Sequence, residues 1–230
     1  MKKIISILAT ALCSICLNAQ QFGNFEVSNF NLALGSGSVY FNYYDANWNG
    51  LSLKYLGKPM EGFPKYEKGK FYDLQANLFA RLDNFGTLSQ KFTFSGRNTC
   101  RLSATMTPSE TAKYNEISYA FSFPISESKL KLDSIAINPE ESLKIQKVFS
   151  AKRVEVECAY GNVVFEGDLN LLVQDNRIFG GTTYSLRFMP RKEGNTLTWN
   201  IKVSFEEPDG SPIYMNKESA KSLDIPNLPR

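Results

Sequence analysis

The chain has 230 residues, with 26 lysines and arginines against 23 aspartates and glutamates, a formal net charge of +3, and no histidine. Serine, cysteine and metal-dependent hydrolases commonly draw their base or ligands from imidazole, so the familiar catalytic triads and zinc sites are excluded. So small a basic excess, with aromatics scattered among acids as well as bases, also argues against nucleic acid as a partner, because a phosphate backbone demands clustered cations.

Lys2 and Lys3, the 14-residue apolar segment from Ile4 to Leu17, and Asn18, Ala19 and Gln20 have the charged, hydrophobic and cleavage regions of a secretory signal. Residues 1–20 are therefore expected to be removed on export, with cleavage near Ala19 or Gln20. The segment is too short to span a bilayer, which takes roughly 20 apolar residues, and no later stretch approaches that length. Cys13 and Cys16 follow Leu12 and Ile15 rather than the small residue that lipid attachment favours, so the expectation is soluble export, to the periplasm, the medium or the cell surface. Losing two lysines and no acid leaves 24 basic against 23 acidic residues, a mature charge of +1. Cys100 and Cys158 survive cleavage; separated by 57 residues, they either pair in an oxidising compartment or stay as small buried thiols.

Along the mature chain the dominant signal is alternation. Phe25 and Val27, then Phe30, Leu32 and Leu34, predict entry strands closed by Gly35-Ser36-Gly37-Ser38. Val39, Phe41 and Tyr43 alternate with Tyr40, Asn42 and Tyr44, a strand with aromatics on both faces. Asp45 to Gly50 has turn chemistry, and Leu51, Leu53 and Tyr55 resume period two, so residues 39–56 read as a hairpin. Gly57 to Gly69, rich in proline, glycine and charge, reads as a long surface loop. Phe71 to Leu82 fits a helical stripe through Leu74, Leu78 and Leu82 or a strand, and its neighbours favour strand. Phe92, Phe94, Cys100, Leu102, Ala104 and Met106 continue the alternation to Pro108, and Ser109 to Lys113 predicts one helical turn capped by the serine.

Ile117, Tyr119, Phe121 and Phe123 then alternate with Ser118, Ala120 and Ser122, giving one oily face and one small polar face. Leu130 and Leu132, Ile135 and Ile137, and Val148 to Cys158 follow. Between Asn162 and Phe188, Val163, Phe165, Leu169, Leu171 and Val173 precede a polar connection carrying Asp175 and Arg177; Tyr184, Leu186 and Phe188 come after it. Gly180-Gly181 is expected to supply the hairpin turn. Leu197, Trp199, Ile201, Val203 and Phe205 make the last strand, and residues 208–230, with four prolines, read as a tail or linker. Strands at roughly 10-residue spacing punctuated by Gly, Pro, Asn and Asp predict an all-β antiparallel β-sandwich over residues 21–207, as one or two modules, with little helix and no fixed-period repeat.

The run Leu172-Val173-Gln174-Asp175-Asn176-Arg177, with Gly161 and Gly167 ahead of it and Gly180-Gly181 and Ser185-Leu186-Arg187 after it, is similar to the non-catalytic β-sandwich domains that lie beside the catalytic domains of some secreted bacterial glycoside hydrolases. Tyr119 to Pro124, followed by Leu130 to Asn138-Pro139, resembles the strand, connection and strand-proline pattern of the same domains. Together these stretches cover about the last half of the mature chain and contain no catalytic signature. In such proteins a trailing catalytic domain supplies the paired carboxylates. The resemblance therefore implies an accessory part, with a polysaccharide or a glycoside hydrolase as its partner.

Three sets of side chains are candidates for chemistry. A glycosidase needs two acids roughly 5 to 9.5 Å apart, but Glu140-Glu141, Glu155 with Glu157, and Glu206-Glu207 fall in loop-like or alternating polar positions and read as solvated faces. Asp175 and Arg177 share one side of an extended segment, where a carboxylate and a guanidinium pair and bind turn amides; a structural bracket is the favoured reading and a ligand contact the competing one. Tyr40, Tyr44 and Trp48 lie on or beside one hairpin, where flat exposed rings stack against sugar faces. Most of the 30 aromatics must instead fill the core, Trp199 among them. The expected function is that of an exported, non-enzymatic, carbohydrate-associated accessory module of polysaccharide use, needing no metal or cofactor. The alternative is a cell-envelope interaction protein that holds a partner by a sheet edge or by its tail.

Overall fold

A computed structural model describes residues 20–22, 24–28, 31–34, 37–50, 54–55, 74–82, 84–124, 129–133, 135–137, 147–158 and 161–206. The predicted signal (apart from Gln20), the Gly57 to Gly69 loop, Glu140-Glu141 and the 208–230 tail lie outside them. In chain order the strands are β1 (Gln20–Phe22), β2 (Phe25–Ser28), β3 (Asn31–Leu34), β4 (Gly37–Asp45), β5 (Lys54–Tyr55), β6 (Leu74–Leu82), β7 (Gly86–Ser95) and β8 (Thr99–Pro108). They continue as β9 (Tyr114–Pro124), β10 (Lys129–Leu132), β11 (Ile135–Ile137), β12 (Lys147–Cys158), β13 (Gly161–Asp175), β14 (Thr183–Met189), β15 (Arg191–Glu193) and β16 (Thr196–Glu206).

The molecule is all-β, and its neighbouring strands pair antiparallel. They form one continuous curled ladder, an arrangement compatible with the expected sandwich, in which β13 belongs to both halves. One edge of β13 pairs with β12 along most of its length. The other edge pairs with β16 at Asn162 to Glu166, then with β14 at Asn170 to Asp175. From β14 one limb continues through β9, β4, β3 and β2 to β1; from β16 the other continues through β8, β7 and β6 to β5.

The changeover coincides with a bulge. Ala151 faces Leu169 and Arg153 faces Glu166, so Gly167 and Asp168 together oppose Lys152, and the strand bends there. Gly167 has φ 149°, and a Cβ at this position would lie 2.8 Å from the Asn200 carbonyl oxygen, so the bend requires glycine.

The two limbs meet on apolar side chains. Trp199 of β16 packs edge-on against Phe41 of β4 and Tyr119 of β9, with ring centroids 6.1 and 5.3 Å apart, and donates its indole N–H to the Phe188 carbonyl on β14 at 2.9 Å. Phe25 of β2 meets Phe94 of β7 and Phe205 of β16. The buried apolar residues of both limbs form one contiguous core. Cys100 and Cys158 are both buried within it and are not joined to each other by a disulfide.

Local readings mostly follow the period. Residues 74–82 form a strand, as their neighbours suggested. Ser109 to Lys113 is a tight turn closed by Ala112 N–H to the Ser109 carbonyl, since a segment this short between two strands offers too few hydrogen bonds to offset a helical nucleus. The β13–β14 connection is a single 3-10 turn, Asn176–Phe179, closed by both glycines: Gly180, left-handed at φ 76°, donates its N–H to the Arg177 carbonyl at 3.0 Å and Gly181 donates to the Asn176 carbonyl at 2.9 Å. On β9 the small polar face is buried as well as the oily one, because Ser118 and Ala120 lie among larger neighbours.

Candidate functional site

Period-two alternation on β4 sends Val39 and Tyr43 inward and leaves Tyr40, Asn42 and Tyr44 on the outer face. Beneath them Tyr43 packs against Phe85 and Tyr114, and burial pushes its hydroxyl pKa up, so it stays protonated. The strand ends at Asp45, whose side chain organises the turn that follows. Asp45 Oδ1 accepts the backbone N–H groups of Asn47 and Asn49, each at 2.8 Å, and Oδ2 accepts Asn49 Nδ2 at 3.0 Å. The Asn49 side-chain bond, with the backbone donors, holds the Asp45 carboxyl below its usual range. Asn115 Nδ2 ties the turn to β9 through the Ala46 carbonyl.

This turn displays Trp48. The indole is 60 % exposed and its residue has φ 65°, a left-handed conformation that costs a bulky side chain energy. Its ring centroid lies 5.9 Å from that of Tyr44, inclined at 52°. The Arg187 guanidinium carbon also sits 5.9 Å from the Tyr44 ring centroid, within cation–π range. Trp48 and Tyr44 thus form one aromatic step with a buried cation beside it.

That cation belongs to a polar cluster assembled from three strands. Arg187 Nη1 on β14 donates to Glu116 Oε2 on β9 at 2.6 Å; Glu116 Oε1 accepts Ser118 Oγ at 2.7 Å and Asn42 Nδ2 at 3.4 Å. Glu116 and Arg187 are 6 % and 9 % exposed, so this is a largely desolvated ion pair, and among the described residues Arg187 Nε has no acceptor. In the sequence Arg187 stands out only as part of the Ser185-Leu186-Arg187 run, and Glu116 not at all. Their separation of 71 residues hides a pairing that only the β9–β14 register creates.

Tyr40 occupies a different place. Its hydroxyl is within hydrogen-bond distance of Ser122 Oγ, which meets Ser185 Oγ, and Asn176 Nδ2 donates onward to Ser185 Oγ. Four strand positions separate it from Tyr44, about 13 Å along the backbone, and among the described residues no ring contact joins it to Tyr44 or Trp48. The structure therefore brings two of the three predicted aromatics together.

Asp175 and Arg177 form a bidentate pair at the start of the 3-10 turn: Arg177 Nε lies 3.0 Å from both carboxylate oxygens and Nη2 lies 2.6 Å from Oδ2. Asp175 Oδ1 also accepts the Arg177 backbone N–H at 2.9 Å, and Arg177 Nη2 donates to the Tyr184 hydroxyl. Hydrogen bonding from Arg177 holds the Asp175 carboxyl below its usual range. Its geometry is that of a cap on the turn. Glu155 and Glu206 are not simply solvated: Arg153 pairs with both, at 3.4 and 2.7 Å, and Lys131 and Asn162 also reach Glu155.

Among the described residues no three His, Cys, Asp or Glu side chains are grouped to hold a metal ion, and no helix is long and apolar enough to cross a membrane. No family model matches the chain. No curated protein matches it either.

Proposed function

We propose that this chain is an exported, non-enzymatic accessory module that binds carbohydrate through the step formed by Trp48 and Tyr44. The observation that carries the reading is the display of Trp48: a bulky residue kept in a costly backbone conformation, on a turn tied down by Asp45 and Asn115, with its indole turned to solvent. A sugar ring stacks its C–H face on such a surface, and the neighbouring Asn42 amide and Tyr44 hydroxyl provide polar groups for its hydroxyls. Export rests on the signal-like residues 1–20, and association with a glycoside hydrolase on the resemblance of the Leu172 to Arg187 region. Affinity electrophoresis in gels containing neutral plant and bacterial polysaccharides tests the reading. The protein is expected to be retarded by at least one gel, and Trp48→Ala to migrate freely there; equal migration of both in every gel would remove the binding claim.

A second reading is favoured by one separate observation. Ile178 and Phe179, 51 % and 71 % exposed, form an apolar tip on the 3-10 turn, held by the Asp175–Arg177 cap. An exposed pair of this kind suits a cell-envelope interaction protein whose partner offers an apolar pocket.

A further inference from the structure

The outer face of the second limb is chemically unlike the rest of the chain. β6, β7 and β8 lie side by side and contain no aspartate or glutamate, while Arg81, Lys91 and Arg101 stand exposed on them. Lys91 is opposite Ser103, and Arg101 is two residues before that serine, so the two cations are diagonal neighbours on adjacent strands, roughly 7–8 Å apart at the backbone. Arg101 Nη1 is steadied by Asn200 Oδ1 at 2.9 Å. Among the described residues neither cation is in an ion pair.

The face is also recessed. Where β13 bends at Gly167, a cleft of about 560 Å³ opens, with Lys91, Arg101, Ser103, Thr105 and Asn200 on one wall and Arg191 on the other. Arg191 is already neutralised by Asp168. Glu193 also lines the cleft, where its Oε1 accepts from Thr198 Oγ1 at 3.5 Å, so the two cations outside any ion pair among the described residues, Lys91 and Arg101, stand against one carboxylate, and Ser103, Thr105 and Asn200 offer hydroxyls and an amide. Beside it, Phe79 is partly exposed and sits opposite Ser89, which sits opposite Thr105, so an aromatic edge borders the polar rows.

We infer that this cleft is a separate binding site for an acidic polysaccharide, whose carboxylate or sulfate groups seat on Lys91 and Arg101 and whose hydroxyls meet Ser103, Thr105 and Asn200. Charge complementarity selects the anion, and the hydroxyl and amide wall suits a polyol. Nucleic acid fits less well: its backbone carries one phosphate charge per about 1.7 Å of duplex and is bound through many cations along its length, whereas this cleft gathers two. This site does not use Trp48, so either reading can fail alone.

Affinity electrophoresis with polygalacturonate, dextran sulfate and neutral dextran tests the inference. The protein is expected to be retarded by an acidic gel, with affinity falling on the order of tenfold as salt rises from about 50 to 200 mM, because bound counterions are released from the polyanion. Retardation by polygalacturonate alone assigns carboxylate, and by dextran sulfate alone assigns sulfate; either supports the site. Lys91→Glu and Arg101→Glu should each weaken retention at least tenfold, whereas Lys113→Glu, the same charge change on the exposed Ser109 turn, should not. Lys91→Gln, with an unchanged melting curve, guards against misfolding as the cause and should weaken retention too. The inference is overturned if neither acidic gel retards the protein, if Lys113→Glu loses as much as Lys91→Glu, or if single-stranded DNA binds more tightly than either polyanion.

Discussion

Trp199 is where the single-core architecture is most exposed to test. The indole is buried, touches rings from two strands of the opposite limb and fills its only donor with the Phe188 carbonyl. A buried indole removes about 200 Å² from water, worth about 5 kcal/mol at about 25 cal/mol per Å². Alanine retains part of that and the site collapses only partly, so Trp199→Ala should cost about 4 kcal/mol, inside the range of about 3–5 seen for large aromatic truncations. Trp199→Phe keeps a ring but strips the indole donor from a buried carbonyl, for about 1–2 kcal/mol. At about 2–4 °C per kcal/mol for a domain of this size, the alanine variant should melt about 8–16 °C lower. Urea unfolding followed by far-UV circular dichroism gives both free energies. A cost for Trp199→Ala under about 1 kcal/mol, or two separated wild-type transitions of which the variant shifts one, would refute a shared core.

Three further outcomes follow from named contacts. Trp48→Gly should raise stability by about 1 kcal/mol, because glycine adopts φ 65° freely, while abolishing retention in neutral polysaccharide gels; loss of stability in urea titration would show that the indole packs rather than waits for a ligand. Arg187→Met strands Glu116 in a buried position and should cost about 3–5 kcal/mol, most of it restored in the Glu116→Gln/Arg187→Met pair, as a double-mutant cycle would read. Asp175 has a folded pKa below its unfolded value of about 3.9, so its bond to Arg177 stabilises the protein fully above that pH and is lost as pH falls through the lower folded value. Asp175→Asn should therefore flatten the decline in melting temperature below about pH 4, and an unchanged acid limb would remove Asp175 as a contributor.

Alternation of side chains was enough to specify strands, because a pleated backbone sends neighbours to opposite faces whatever the rest of the chain does. Val163 to Val173, Ile117 to Phe123 and Leu197 to Phe205 are strands for that reason, and the Asp175–Arg177 spacing carried its own local geometry. The turn at Asp45 to Gly50 was likewise written in Asp and Asn side chains that bond backbone a few residues away. What local pattern could not hold was any relation across distance. The β13 switch between two limbs depends on which strands reach its far edge, the Glu116–Arg187 pair on the β9–β14 register, and the acid-free cationic face on β6, β7 and β8 lying side by side. Each of these joins residues whose proximity is set by the folded ladder and its burial from water, and tertiary structure alone decides them.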